Sequence, residues 1–236
     1  MLAWFNDLRR LLSKKEDILR YIDDIAKNAS FAKSQEWLNY FKITVNIEDP
    51  ATRKETVAPA KDLLSKAQDG SVQQLLYRSV SSSMLADGQT NDAAKVMRDG
   101  LGQFPDDVEM LNNLAYVLAT DLGRAEDAIP LAERAVKLTP AVADIQDTLG
   151  TVYMKANRCT EAVASFRRAL LLSSNPEQTI KFSIHYADAL VCDNRAADAR
   201  TLLNDTKQTF TANESNLSED LKKKFTETLA RVEAAK

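Results

Sequence analysis

Apolar residues along this 236-residue chain recur at steps of three and four, the spacing that gathers side chains on one face of a helix. Near the start, Leu2, Phe5, Leu8, Leu12, Leu19, Ile22 and Ile25 fall close to one stripe, which predicts a single amphipathic helix over residues 2–26. Trp37 and Phe41 mark a helix in SQEWLNYFKITV (34–45), and VAPAKDLLSKAQDG (57–70) supplies the next. Between them lies a connection around EDPATRKE (48–55), where Asp49-Pro50 reads as a helix start. At the other end Leu217, Leu221, Phe225, Leu229 and Val232 share a face. Ser218 followed by Glu219 and Asp220 has the order of a capped helix N-terminus, where the dipole favours acids. Alternating runs of Val, Ile and Thr are missing, and only six Gly and six Pro interrupt the chain, so the expected class is all-α.

The pattern also repeats. AEDAIPLAERAVKLTP (125–140) aligns with TEAVASFRRALLLSS (160–174), with Ala128 and Ala135 each 34 residues before Ala162 and Ala169. One unit earlier, Ala93 and Gly100 lie 35 residues before Ala128 and Ala135; one unit later, Ala199 lies 37 after Ala162. The helices that precede these carry a small residue at Ser81, Ala115, Gly150 and Ala187. Upstream, Ala60 and Ala67 stand 33 residues before Ala93 and Gly100, which marks a degenerate repeat. A period near 34 with two helices per unit signals a helical solenoid. Small residues belong where two helix axes cross, because helices pack about 8–10 Å apart, depending on the side chains at the contact. The spacing places Gly150 against Ala162 inside one hairpin and Ala169 at the junction with the next unit, with Leu149, Tyr153 and Phe166 filling the gaps between.

These residues resemble the tetratricopeptide repeat family. Leu149-Gly150, Tyr153, Ala162, Phe166 and Ala169 carry the likeness in the best unit, and Leu114-Ala115, Ala128, Ala135 and Pro140 in the unit before. Pro105 and Pro140 stand where the family places a proline after its second helix, while the aromatic at the start of the first helix is Tyr77, Leu111, Gln146 and Ser183 here. The resemblance implies a right-handed superhelical solenoid of helix-turn-helix repeats. It divides the chain into an N-terminal helical region (1–72) with a lid helix and a degenerate repeat, four repeats (73–212) and a C-terminal capping helix (213–236). The first helix could cover the array, dock on a further repeat or second subunit, or lie on a membrane surface. Asp7, Asp17, Asp23 and Asp24 oppose the last on an anionic leaflet.

Composition narrows the chemistry. Apolar residues make up 44% of the chain, enough for a sizeable core, and the net charge of −3 argues against a general nucleic-acid binder. Lys222, Lys223 and Lys224 read as a solvated helix face. No apolar run approaches the roughly 18–20 residues that span a bilayer. The N-terminus meets Asp7, Arg9 and Arg10 where a signal peptide needs an apolar stretch, which favours a cytoplasmic location for the chain as given. Cys159 and Cys192 are too few for a disulfide framework and are expected as free, partly buried thiols. With His185 as the only histidine and no Cys-x-x-Cys, no metal or other cofactor is expected. No glycine-rich phosphate loop or Gly-x-Ser-x-Gly elbow occurs, and Asp106-Asp107 reads as a helix cap, so no enzyme is expected.

The resemblance places a binding groove on the first helices of the repeats. Positions that avoid packing there are Arg78, Ser79 and Ser82, then Asn112, Asn113, Tyr116 and Thr120. The next two units give Asp144, Asp147, Thr148, Thr151 and Lys155, then Lys181, His185 and Asp188. Asn amides both donate to and accept from an extended backbone, and an aromatic such as Tyr116 supplies flat contact area. Some members of the family clamp a terminal carboxylate with Lys and Asn on two repeats and two cations on a third. Arg78 and Asn113 match part of that set, but Asp144 and Thr148 stand where the cations are needed, so this mode is rejected. The expected role is a protein-interaction scaffold for a peptide or helix of somewhat basic or amide character. The alternatives are an assembly module acting through its terminal helices, including as a homo-oligomer, and an accessory domain of an enzyme.

Overall fold

The structure is a computed structural model that describes residues 1–234 and, among these, contains α-helices, two short 3-10 turns and no strand. The chain forms two compact units, Met1–Pro105 and Asp106–Lys236. The division falls inside the segment assigned to the four repeats.

The first unit holds α1 (Leu2–Leu11), α2 (Lys15–Ala26), α3 (Gln35–Glu48), α4 (Arg53–Lys66), α5 (Gly70–Ala86) and α6 (Thr90–Gln103). Helix α3 packs against α2, α4 and α5, and α5 pairs with α6. The expected single helix over residues 2–26 is two helices. The chain turns extended at Leu12, and no apolar side chain occupies the stripe at Lys15 or Glu16 to continue the first helix. The break lets both pieces reach α3. Phe5 and Leu8 of α1 and Ile18 and Ile22 of α2 are buried, and the Phe5 ring stacks on Phe41 with centroids 4.1 Å apart. Arg9 pairs with Glu48, and Lys15 with Asp49, at 2.6 Å each. Helix α4 begins at Arg53, later than Asp49-Pro50 suggested, because the Asp49 carboxylate accepts from Ala51 N–H and closes a turn first. Asp69 caps α5 through Ser71 and Val72 N–H. Its carboxyl is held below the ordinary value chiefly because the Trp37 indole donates to it at 2.8 Å, helped by those two amides.

The second unit holds α7 (Val108–Thr120), α8 (Ala125–Leu138), α9 (Ala143–Lys155), α10 (Cys159–Leu171), α11 (Pro176–Cys192), α12 (Ala196–Asn213) and α13 (Glu219–Ala234). Consecutive helices pack as antiparallel neighbours, and first helices also touch each other: α7 meets α9, α9 meets α11 and α11 meets α13. Asp107 caps α7 by accepting from Met110 N–H, and Ser218 accepts from Leu221 N–H at the start of α13. Ala235 and Lys236, part of the expected final helix, lie outside the described residues.

Every small residue of the repeat pattern is buried in its own unit, including Ser81, Ala93, Ala115, Ala128, Ala135, Ala162, Ala169, Ala187 and Ala199. At Gly150 the nearest side chain is Phe166, one of the residues expected to fill the gaps. A Cβ there would lie 2.6 Å from the Phe166 ring, so the space left by this glycine is taken by that aromatic ring. Ala169 does sit at the inter-repeat junction, clustered with Ala143 of α9 and Phe182 of α11.

A second periodic signal marks the hairpins. Gly88, Gly123, Asn157 and Asn194 have φ of 74°, 64°, 58° and 61° in the turns α5–α6, α7–α8, α9–α10 and α11–α12. Gly and Asn are the residues that take left-handed conformation at low cost. In each turn a following N–H reaches back to the closing helix, as Arg158 does to Tyr153 O and Arg195 to Leu190 O, at 2.8 Å each. That bond satisfies a carbonyl the helix end leaves open. The arginines after three of these turns then pair with an acid three residues on: Arg124 with Asp127, Arg158 with Glu161 and Arg195 with Asp198.

Candidate partner-binding groove

The groove residues of the second unit lie on α7, α9 and α11, with Tyr116 exposed and Asp147 and Thr148 buried, so not every one of them avoids packing as expected. One cavity of about 500 Å³ is lined by Tyr116, Thr120, Asp144, Asp147, Thr148, Thr151, Lys155, Lys181 and His185. A second of about 310 Å³ shares Tyr116, Lys181 and His185 with it and adds Glu177, Ile184 and, from α13, Ser218, Asp220, Leu221 and Lys224. A third of about 490 Å³ runs on through Ile184, His185, Asp188, Lys224, Glu227, Thr228 and Arg231. His185 lines all three, so they form one channel across α7, α9, α11 and α13. Tyr116 stands in it 47% exposed, a large ring surface left to water.

Asp144, Asp147 and Asp188 of this channel are already paired. Lys181 Nζ lies 3.2 Å from Asp147 and 3.3 Å from Asp144, and His185 Nδ1 lies 2.6 Å from Asp147. A carboxylate only accepts, so the last contact assigns the ring proton to Nδ1. Burial opposes the charge on Lys181, yet the pull of Asp147 and Asp144 outweighs it and holds its pKa above the ordinary lysine value. Burial raises the Asp188 carboxyl above its usual range, although Arg231 of α13 pairs with it. The basic or amide preference expected from these acids is therefore weakened: each meets a cation of the same unit before any partner arrives. The same pairing disfavours the carboxylate clamp, because Lys181 is held between two acids.

The remaining expected residues fall elsewhere. Asn112 and Asn113 lie on α7 and hydrogen-bond to one another at 3.3 Å, with Asn112 Oδ1 buried and unpartnered among the described residues. Arg78 and Ser82 belong to α5, in the first unit. The wall from α13 was missed by the sequence reading, which treated that helix only as a cap. The signal was present in Leu221 and Leu217, whose apolar stripe leaves Lys224 and Asp220 on a flank. Lys222 and Lys224 pair with Glu219 and Asp220 at 2.7 Å, as a solvated face would, but Lys224 also borders the channel. On the far side of the hairpin, Tyr153 donates to Glu133 at 2.7 Å, and burial together with that carboxylate pushes its pKa up to about 12.

Cys159 and Cys192 are not free thiols, as had been expected. They form a disulfide between the start of α10 and the end of α11, with Cα atoms 5.6 Å apart. The reason is the repeat itself. A separation of 33 residues is one period, so positions flanking the turns at Asn157 and Asn194 stack side by side. Among the described residues no group of three or more His, Cys, Asp or Glu could hold a metal ion, and no helix is long and apolar enough to cross a membrane.

Stacked helical hairpins with a channel on their first helices define a helical-repeat protein. Residues 83–143 match the tetratricopeptide repeat family, as the sequence pattern suggested. BtubC (BKLC) from P. vanneervenii is similar in structure, with a TM-score of 0.71 at 14% identity over 87% of this chain and 91% of that one. The MamA RS-1 ArsTM double mutant has a TM-score of 0.65 at 17% identity, covering 75% and 95%. MamA 41-end from Desulfovibrio magneticus RS-1 has 0.62 at 18% identity, covering 76% and 96%. At these identities the likeness is one of fold. No curated protein matches the chain in sequence.

Proposed function

We propose that the second unit is a protein-interaction scaffold that seats an extended segment of a partner in the channel across α7, α9, α11 and α13. The observation that supports this reading most directly is the continuity of three cavities through His185. The walls mix an exposed aromatic, amphoteric hydroxyls and paired charges, which suits main-chain recognition with side-chain selection. Because Asp144, Asp147 and Asp188 are each paired, the segment it fits carries little net charge, and its amides meet Thr148, Thr151 and the second ring nitrogen of His185. Catalysis has no part in this reading.

The test is selection of peptides from a random displayed library on the intact chain. Replacing Tyr116 by alanine weakens the selected peptides about tenfold or more, the scale of losing an aromatic anchor. Arg167→Ala, on α10 and outside the channel, leaves them unchanged. Selected peptides that bind the Tyr116 and Arg167 variants alike would remove the channel from consideration. The Asn113→Ala/Tyr116→Ala double variant shows whether the amide of α7 adds to the ring.

A second reading rests on the N-terminal helices. Leu11 is 82% exposed, Tyr21 47% and Leu2 39%, an apolar set that self-association would cover. Sedimentation across a wide concentration range decides it: a chain that stays monomeric rules out assembly through these helices.

A further inference from the structure

The disulfide sits where it can govern the channel. Cys159 opens α10, Cys192 closes α11, and beside them Thr160 donates to Asp193 at 2.6 Å, so the same edge is tied twice. Cys192 is exposed and Cys159 half-buried, so soluble thiols and disulfides reach the bond. Helix α11 also carries Lys181 and His185, which cross to Asp144 and Asp147 on α9, the hairpin partner of α10. It is thus held to the α9–α10 hairpin by charges on the channel side and by a covalent bond at its C-terminal end. Only the second of these answers to an oxidant or a reductant.

We propose that the Cys159–Cys192 pair is a redox clamp that sets the seating of α11 against the α9–α10 hairpin. Closure uses a low-molecular-weight disulfide such as oxidised glutathione. The Cys192 thiolate attacks one glutathione sulfur and expels a glutathione thiolate, leaving a mixed disulfide. The Cys159 thiolate then attacks the Cys192 sulfur and expels the second glutathione. The protein gives up two electrons and two thiol protons, and one glutathione disulfide becomes two glutathiones. Closing a loop whose ends are 33 positions apart in sequence removes chain entropy from the unfolded state and restrains local opening of the span between. Such a bond persists in oxidising surroundings and opens in a glutathione-rich cytosol, so the clamp couples the state of α11 to the compartment. Its consequence for partner binding rests on the channel reading above; its effect on α11 does not.

The full chain is equilibrated in glutathione buffers of graded ratio, and free thiols are counted by alkylation and mass spectrometry. Hydrogen exchange and thermal unfolding are then followed on the same samples. The bond closes in oxidising buffer. Reduction lowers Tm by about 10 °C and speeds exchange in α11 about tenfold, while α7 and α8 exchange as before. A Cys159→Ser/Cys192→Ser chain behaves as the reduced form in every buffer. Two thiols surviving at the most oxidising ratio, or equal Tm and α11 exchange in both forms, overturns the clamp. A peptide selection that fails while the redox response stands removes the channel reading and leaves the clamp in place.

Discussion

Replacing Phe225 by alanine destabilises the second unit by about 3–5 kcal/mol, the cost of emptying a buried aromatic site. Phe225 is 1% exposed and stacks on Phe210 of α12 with centroids 4.5 Å apart. It is the largest buried side chain on α13, and Leu221 and Val232 are its companions on that face. Losing it releases the helix that carries Leu221 and Lys224, so one wall of the channel goes with the lost stability. Urea unfolding followed by circular dichroism reads the loss directly. Lys223→Ala, on the outward face of the same helix, serves as the control and shifts stability by no more than about 0.5 kcal/mol. A Phe225 variant as stable as that control would show that α13 is not packed as described.

Gly150→Ala is the second. On an exposed helix this change gains about 1 kcal/mol, because alanine is the better helix former. Here it costs about 1–3 kcal/mol net, through overpacking. The new methyl would come within 2.6 to 2.8 Å of three Phe166 ring carbons. The ring is 2% exposed and lies against the His185 ring with centroids 5.6 Å apart, so it has little room to withdraw. Phe166→Leu removes the obstacle. In that background Gly150→Ala loses most of its penalty, and the double-mutant cycle returns a coupling of about 1 kcal/mol or more. A rise in the urea midpoint of Gly150→Ala alone would contradict the packing at this crossing.

These two sites show different degrees of visibility in the chain. The smallness of position 150 is readable from spacing, since Ser81, Ala115, Gly150 and Ala187 recur one period apart. That Phe166 in particular takes the space is not, because spacing along a helix says which residues share a face but not which side chain across the crossing turns into the space. The apolar stripe of α13 was equally plain. Its service as a channel wall was not, because that depends on α11 and α13 lying side by side, a contact between helices with α12 between them in sequence.

The amino-acid sequence alone determined the all-α class, the period near 34 and the small residues at helix crossings. Each of these follows from local geometry, 3.6 residues per turn and two helices per unit. Tertiary structure alone decided that residues 2–26 break into two helices to reach Phe41 and its neighbours on α3, that Lys181 bridges Asp144 and Asp147 while His185 hydrogen-bonds to Asp147, and that Cys159 meets Cys192. All three depend on pairs brought together across a helix–helix interface. Periodicity records the face a residue occupies, whereas charge pairing and bond formation depend on distances between faces, which are set only when the hairpins stack.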